Sequence, residues 1–288
     1  MPESREIVMT AEQTRVPEIR TLITGLAMGE SPRWHEDRLW LSDWGAQEII
    51  AVDVSGKSEI PVRVPFFLPF CIDWLPDGRL LIVSGREGLL MRRERDGSLV
   101  THADLRGLSD QAWNEIVVDG RGNAYVNGGP GIALLTPNGS LRQVADRLAF
   151  PNGMVITPDN STLIIAESHG KRLTAFDIAA DGSLSNRRVW ADLYDGAPDG
   201  ICMDADNAVW YADVPNKRCV RVREGGEVLQ TVNFDRGCFA CMLGGQHKRT
   251  LFVVATEWRG MEKMVEVAQA RTGRVLTVEA PSPGVGWP

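Results

Sequence analysis

One phrase recurs six times along the chain and limits the folds that the chain can adopt. Each copy is an apolar stretch, a turn rich in Asp, Asn and Gly, and a second apolar stretch, as in NEIVVDGRGNAYVN from Asn114 and DGICMDADNAVWYAD from Asp199. The turns begin at Asp37, Asp77, Asp119, Asp159, Asp206 and Gln246, so the period is 40 to 47 residues. Repeats of this length are typical of solenoids, propellers and arrays.

The repeating unit predicts four β-strands. The second apolar arm of each phrase is a short run rich in Val, Ile, Leu and Trp, as expected of a strand buried on both faces. A further pair follows, with Asp-Gly, Asn-Gly or Gly-Gly at its turn, and Asp-Gly and Asn-Gly between apolar runs are strong hairpin signals. Six units of four strands predict an all-β fold, a six-bladed β-propeller with four-stranded blades.

The repeat also predicts how the ring closes. We expect the strand at residues 20–25 (RTLITG) to complete the last blade, and residues 261–270 (MEKMVEVAQA) to form a strand that pairs with residues 274–279. No linker or shift in composition divides the chain. Residues 1–16 are therefore predicted to be a flexible, polar lead-in and residues 17–288 a single propeller domain.

The composition indicates which classes of binding partner and which cellular compartment are expected for the protein. The net charge of −7 disfavours binding to a phosphate backbone, so we expect no nucleic-acid partner. No apolar stretch approaches ~18 residues, and the N-terminus has no apolar signal region, so no membrane association is expected. Five cysteines without an export signal favour a reduced, cytoplasmic setting, with the Cys238-x-x-Cys241 pair structural. A monomer or weak homo-oligomer is expected.

Polar residues occupy the same repeat position in four of the six units. Propeller blades begin their innermost strands at one end of a central channel, and the six predicted starts are Glu30, Cys71, Asn114, Asn152, Asp199 and Ala240. Four oxygen donors converging on one axis are costly unless something binds them. Two carboxylates and two carboxamides suit Ca²⁺ or another hard divalent cation, which predicts a central metal site.

An alternative interpretation treats these residues one at a time. Asn152-Gly153 and Asp199-Gly200 each follow a proline, and Pro-Asn-Gly and Pro-Asp-Gly are common turns. The recurrence of all four residues at one repeat position favours the metal site. A second open choice concerns FFLPF at residues 66–70, which forms either a hydrophobic lid or wall over the site or packing between blades.

Several motifs occur in order and at blade spacing: GESPRW from Gly29, WNEIVVDGRGNAYV around Asn114, FPNG from Phe150, PDGICMD from Pro198, and the ending PGVGWP. On these motifs the chain, from about Leu22 to its end, resembles the senescence marker protein/gluconolactonase/luciferin-regenerating-enzyme-like family of regucalcin-like sugar lactonases. The resemblance implies a six-bladed propeller with one catalytic divalent metal ion in its channel.

The resemblance also implies roles for particular residues. The Glu, Asn and Asp of the GESP, PNG and PDG motifs hold the metal in such proteins, and they fall on Glu30, Asn152 and Asp199. Asn114 is implied to lie near metal and substrate. Many sugar lactonases of the family have an Arg two residues before that Asn, where this chain has Ala112. The departure favours a smaller or more apolar lactone, with Trp113 as a candidate substrate contact.

These residues predict a metal-dependent lactone hydrolase. We expect the cation, most simply Ca²⁺ but also Zn²⁺, Mn²⁺, Mg²⁺ or Fe²⁺, to act as a Lewis acid on a small-molecule lactone and Asp199 to act as general base. The four histidines avoid the inner-strand starts and no G-x-S-x-G elbow occurs, which disfavours a serine hydrolase. Three alternatives stay open: a phosphotriesterase-like hydrolase, a non-catalytic Ca²⁺-binding propeller, and a strictosidine-synthase-like enzyme, for which Glu257 is the nearest base.

Overall fold

The recurring hairpins fold into antiparallel sheets arranged as a six-bladed propeller. The computed structural model describes residues 17–129 and 131–288, and the lead-in predicted for residues 1–16 lies outside them. The first three blades are β2 (Gly29–His35), β3 (Arg38–Asp43), β4 (Glu48–Val52) and β5 (Ser58–Arg63); β6 (Phe70–Trp74), β7 (Leu80–Ser84), β8 (Leu89–Arg93) and β9 (Leu99–Asp104); and β10 (Trp113–Val118), β11 (Ala124–Gly128), β12 (Gly131–Leu135) and β13 (Leu141–Ala145).

The remaining three blades have the same plan. They are β14 (Pro151–Ile156), β15 (Thr162–Glu167), β16 (Arg172–Ile178) and β17 (Leu184–Asp192); β18 (Pro198–Asp204), β19 (Val209–Asp213), β20 (Arg218–Val222) and β21 (Val228–Asn233); and β22 (Gly237–Gly244), β23 (Thr250–Thr256) and β24 (Gly273–Glu279) with β1 (Arg20–Leu26). The inner strands β2, β6, β10, β14, β18 and β22 contact one another in turn around the axis.

Blade 6 joins the two ends of the described chain, as predicted. Strand β1 pairs antiparallel with β24, so the blade takes its outermost strand from the beginning of the ring. Blade 5 gains a short fifth strand, β25 (Gly284–Val285), which pairs with the inner strand β18 at Met203 and Asp204. Trp287 then forms a bridge to Ile156 at the end of β14. The C-terminal segment therefore crosses the channel end opposite to the starts of these inner strands.

The prediction of a strand at residues 261–270 was wrong. These residues form a 3₁₀ turn, Met261–Lys263, followed by the helix α1, Met264–Ala270. Strand β24 already pairs with β23 on one side and with β1 on the other, so no edge is left for another strand. Met, Glu, Lys, Gln and Ala are strong helix formers, and this local preference prevails where no sheet edge competes.

Large side chains fill the wedges between blades. Trp34 of blade 1 stacks on Phe252 of blade 6 with ring centroids 5.4 Å apart, and Trp40 of blade 1 meets Trp74 of blade 2 edge to face. Each four-stranded sheet thus buries its faces against its neighbours, which explains why a single blade could not be stable. Within the described residues, no helix is long and apolar enough to cross a membrane.

Candidate metal and active site

The four polar residues predicted to converge do line one cavity. Glu30, Asn114, Asn152 and Asp199 border a space of about 650 Å³ at the channel end where the inner strands begin, and Trp113 borders it as well. In the sixth blade the cavity is lined by Phe239, whereas Ala240, the predicted start, is not among the lining residues. The strand begins three residues earlier, at Gly237.

A β-bulge brings the polar side chains to the axis. Five of the six inner strands show a shift in register near their starts, and only β6, which carries Cys71 there, pairs regularly. In β10, β14 and β18 two residues of the inner strand oppose one residue of its partner, and the first of the two is Asn114, Asn152 or Asp199. Bulges redirect side chains beside functional sites.

The glycines after Asn152 and Asp199 serve close packing between blades. Both residues lie within strands, so the alternative interpretation of these motifs as isolated turns was wrong. A Cβ on Gly153 would lie 2.6 Å from the carbonyl oxygen of Asp199, and one on Gly200 would lie 2.4 Å from the Cβ of Ala240. Only glycine lets β14, β18 and β22 approach this closely.

The two carboxyl groups on the cavity floor are held in an unfavourable electrostatic setting. Glu30 is 5% exposed and accepts a hydrogen bond from the Ser31 amide at 2.9 Å. Burial, together with the charge of Glu115, raises its pKa to about 8. Burial and the charges of Glu30 and Glu115 raise the pKa of Asp199 well above its usual range, against a hydrogen bond donated by Asn152.

A buried ion pair lies beneath the floor. The Arg33 guanidinium contacts Glu115 at 2.9 Å and donates to the Ile116 carbonyl at 2.7 Å, while the Ser31 hydroxyl donates to Glu115 at 3.3 Å. Ser31 has a positive φ of 49°, a backbone conformation rare for a non-glycine residue. Arg33 thus pairs with Glu115 and leaves Glu30 without a cationic partner.

The donor set fits a divalent cation. In the part of the chain that the structure describes, no Lys or Arg lies within ion-pair distance of Glu30 or Asp199. The buried carboxyl group of Glu30 and the half-buried one of Asp199 therefore face the same cavity without a salt-bridge partner. No cluster of three or more His, Cys, Asp or Glu side chains among the described residues could hold a metal. The candidate ligands instead combine two carboxylates with the amide oxygens of Asn114 and Asn152, the hard donors that Ca²⁺ prefers.

The cavity walls contain residues that the sequence did not single out. Trp44, Trp258, Met261 and Met264 line it, together with Leu68 of the FFLPF segment, whose Phe66 and Phe70 are buried between blades. That segment therefore forms part of the cavity wall and also packs between blades. The sequence signal for such wall residues is a run of bulky apolar residues in a connection next to an inner strand. Runs of this kind also occur in hydrophobic cores.

The histidine in the fourth blade reaches the cavity. His169 is exposed in the connection after β15, lines the cavity and stacks on Phe150 with ring centroids 4.4 Å apart. Glu167 is fully buried and bound by Arg172, Arg187 and Thr174, so it supports the loop. Glu257, considered as an alternative base, is exposed and does not line the cavity.

The fold defines a six-bladed β-propeller with a polar cavity at one end of its channel, and comparison with known proteins gives the family. The sequence model of the SMP-30/Gluconolactonase/LRE-like region matches residues 28–257, and the chain belongs to that family. Regucalcin of Xenopus laevis is 25% identical over 87% of this chain and 90% of its own length. Diisopropyl-fluorophosphatase of Loligo vulgaris is 27% identical over 47% of this chain, a match that spans only 51% of that protein.

Solved structures show the same fold. A luciferin-regenerating enzyme superposes with a TM-score of 0.79 and 18% identity, covering 94% of this chain and 98% of its own. A regucalcin from Agrobacterium tumefaciens, described as a calcium-binding protein, superposes with a TM-score of 0.75 and 20% identity, covering 93% and 97%. At these identities the likeness concerns the propeller architecture.

Proposed function

We propose that the protein is a metal-dependent hydrolase that opens a lactone to the corresponding hydroxy acid. The observation that carries the proposal is the pair of uncompensated carboxyl groups, Glu30 and Asp199, which share a cavity floor with Asn114 and Asn152. Membership of a family that includes gluconolactonases supports the reaction class. Ca²⁺ is the simplest cation for this oxygen set, and a relative is described as calcium-binding.

Glu30, Asn152 and Asp199 would hold the cation. When bound, a divalent cation supplies Lewis acidity toward an ester carbonyl and stabilises the negative charge that develops there. Asp199 takes the proton from the water that attacks the carbonyl carbon and gives it to the ring oxygen when the bond between that carbon and the ring oxygen breaks, while Asn152 orients the Asp199 carboxylate through their hydrogen bond. Asn114 donates a hydrogen bond to the substrate or completes the ligand set, and Trp113 bounds the space beside it.

Replacement of Asp199 by Asn tests the base. We expect Asp199→Asn to retain its metal content and its melting temperature, because an amide oxygen can still serve as a ligand, and to lose about 100- to 10,000-fold in kcat. Glu30→Ala is the contrasting control: it leaves no side-chain oxygen to serve as a ligand, so it should lose metal and activity together. Metal analysis, thermal unfolding and a pH-drift assay with and without chelator give the readouts. Metal-loaded Asp199→Asn with more than a tenth of wild-type activity would overturn the assignment.

A phosphotriesterase-like activity is the second candidate. It is supported by the similarity to Diisopropyl-fluorophosphatase, which covers about half of that protein. Lactone and phosphotriester panels assayed side by side with Ca²⁺, Mn²⁺, Zn²⁺ and Fe²⁺ separate the two. Ca²⁺ binding without turnover of either panel would favour a non-catalytic calcium-binding propeller. A cytoplasmic location and a monomeric or weakly oligomeric state stay predictions.

A further inference from the structure

We propose that the preferred substrate is a neutral cyclic ester with a bulky apolar substituent, and that the connection between β23 and β24 supplies the wall that contacts this substituent. The inference rests on the proposed lactonase function and adds the substrate class to it. It follows from the chemistry of the cavity walls, from a feature peculiar to blade 6, and from the continuation of the apolar surface to the rim of the cavity.

The cavity is polar at its floor and apolar along its sides. Above the four floor residues the walls are built by apolar side chains from five blades, namely Trp44, Leu68, Trp113, Phe150, Phe239 and Trp258. Pockets with a few convergent polar groups and predominantly apolar walls are typical of sites for small organic ligands. A substituent that extends away from the reacting ester would be surrounded by carbon.

The walls offer few partners for hydroxyl or anionic groups. No Lys or Arg occurs among the described residues that line the cavity, and its charged floor is acidic. The Ser168 hydroxyl is engaged in a 2.6 Å hydrogen bond to the Pro198 carbonyl. The exposed His169 stacks on Phe150 through the face of its ring, which leaves its ring nitrogens as hydrogen-bond partners. Besides Gln111 and His169 the walls offer few side-chain partners to the hydroxyl groups of a polyhydroxylated lactone, and an anion would find no cationic side chain.

The connection in blade 6 differs from its counterparts in the other blades. It spans residues 257–272, whereas the corresponding connections of blades 1, 2, 4 and 5 span only residues 44–47, 85–88, 168–171 and 214–217. The added length contains the 3₁₀ turn and α1, and it brings Trp258, Met261 and Met264 to the cavity. Trp258 meets Phe239 edge to face with centroids 5.3 Å apart. Methionine side chains adapt to irregular apolar shapes.

The apolar surface continues from the cavity to solvent. Met261 is 65% exposed and Phe150 is 49% exposed, and both also line the cavity. The volume of about 650 Å³ is far more than a bare five- or six-membered lactone ring requires. These walls and this rim suit an alkyl chain or an aryl group attached to the ring.

A matched substrate series tests the inference. The metal-loaded protein is assayed with δ-valerolactone, with its hexyl and phenyl derivatives substituted at the ring carbon next to the ring oxygen, and with D-glucono-δ-lactone. We expect kcat/KM to rise at least about tenfold from the bare ring to the phenyl derivative, as apolar groups fill the pocket, and to be lowest for the gluconolactone. A kcat/KM for gluconolactone equal to or above that of the phenyl derivative would overturn the proposal.

Two aromatic variants locate the effect. Trp258→Ala removes part of the wall and should lower the ratio of kcat/KM for the phenyl derivative to that for the bare ring about tenfold. Tyr194→Ala removes an aromatic ring that is 79% exposed in the connection preceding β18 and does not line the cavity, so the ratio should stay as in the wild type. If Trp258→Ala left the ratio of kcat/KM for the phenyl derivative to that for the bare ring unchanged, the connection between β23 and β24 would not contact the substituent.

A binding measurement separates this inference from the lactonase function. If no lactone is turned over, tryptophan fluorescence of the metal-loaded protein is titrated with phenyl-substituted δ-valerolactam and with a polyhydroxylated δ-lactam, which carry an amide in place of the ester. Tighter binding of the phenyl lactam, weakened in Trp258→Ala, would support the apolar site while the proposed reaction fails. Equal or tighter binding of the polyhydroxylated lactam would overturn the inference.

Discussion

Asp73 shows how single buried charges connect the blades around the channel. Its carboxylate accepts hydrogen bonds from the Val118 amide of blade 3 at 2.7 Å and from the Trp74 amide at 2.8 Å, so it links the inner strands β6 and β10. It is 6% exposed, and this desolvation raises its pKa to about 6, against the charge of Arg33 and the two amide hydrogen bonds, while Glu115 adds to the rise.

This raised pKa predicts a pH dependence of stability. The carboxyl group has a pKa of about 6 in the folded state and 3.8 as the ordinary value, so its contribution to stability is present below about pH 4 and is lost as the pH rises through 6. Two pKa units correspond to about 3 kcal/mol. We therefore expect the unfolding free energy of Asp73→Asn, relative to the wild type, to rise by up to about that amount between pH 4 and 6.

Urea unfolding at intervals of half a pH unit would measure the effect. The exposed Asp110 provides the control, since Asp110→Asn should follow the wild-type pH dependence throughout. If the difference in unfolding free energy between Asp73→Asn and the wild type stayed constant between pH 4 and 6, titration of Asp73 would make no contribution to the pH dependence of stability.

The residues of the site differ in how well the sequence predicts them. Glu30, Asn114, Asn152 and Asp199 were predicted because the repeat places them at equivalent positions. The Arg33–Glu115 ion pair joins residues 82 positions apart in the chain, and a single sequence contains no local signal for such a contact. The wall residues Trp258 and Met261 were missed for a similar reason, because the long connection between β23 and β24 that carries them has no counterpart of that length in blades 1, 2, 4 and 5.

At the scale of the elements, the inner strands combine a bulge with very close packing. The bulges in β14 and β18 turn Asn152 and Asp199 toward the channel. The glycine after each of these residues has no side chain, so the neighbouring inner strand can pack closely against it. Hairpins and blade order follow from turn residues and apolar arms, so the sequence predicts them. The bulges are not predicted, because the repeating apolar and turn residues of a unit do not indicate a register shift within a strand, and β6 of the same ring has none.

Substitution of one of these glycines should affect catalysis more than folding. In Gly153→Ala the new Cβ would lie 2.6 Å from both the Asp199 carbonyl oxygen and the Ile201 amide nitrogen, so β18 must shift. A displacement of about 1 Å at a catalytic group can cost about 100-fold in rate. We expect a loss of 10- to 100-fold in kcat, measured on the best lactone substrate together with the melting temperature.

Gly78→Ala supplies the contrasting control for this prediction. Gly78 has a φ of 80° in a turn where an added Cβ meets nothing within 4 Å, so alanine strains the backbone without touching the site. Its melting temperature should fall by a few degrees, as expected for a cost of about 1 kcal/mol, while kcat stays unchanged. Equal kcat values for the two variants would contradict the role given to Gly153.

At the scale of the whole molecule, the floor of the cavity joins blades that are distant in the chain. Glu30, Asn114, Asn152 and Asp199 belong to blades 1, 3, 4 and 5, and the strands β10, β14 and β18 contact one another in turn, while β2 joins them through β6 and β22. At the opposite end the C-terminal segment pairs with β18 and bridges to β14, while β1 completes blade 6. A cation bound by the floor residues would therefore stabilise the ring as a whole.

This arrangement predicts that metal removal lowers the melting temperature of the entire propeller. A cation at 100 times its dissociation constant stabilises a folded protein by about 2.7 kcal/mol, which corresponds to a shift of about 5–10 °C for a chain of this size. We expect chelation to lower the melting temperature by this amount and Ca²⁺ titration to restore it. In Glu30→Ala the shift should disappear, because the floor loses the oxygen ligands of that side chain, whereas Glu227→Ala, which removes an exposed carboxylate on the outside of blade 5, should retain it. If Glu30→Ala kept the full shift, the stabilising cation would be bound elsewhere than at the channel floor.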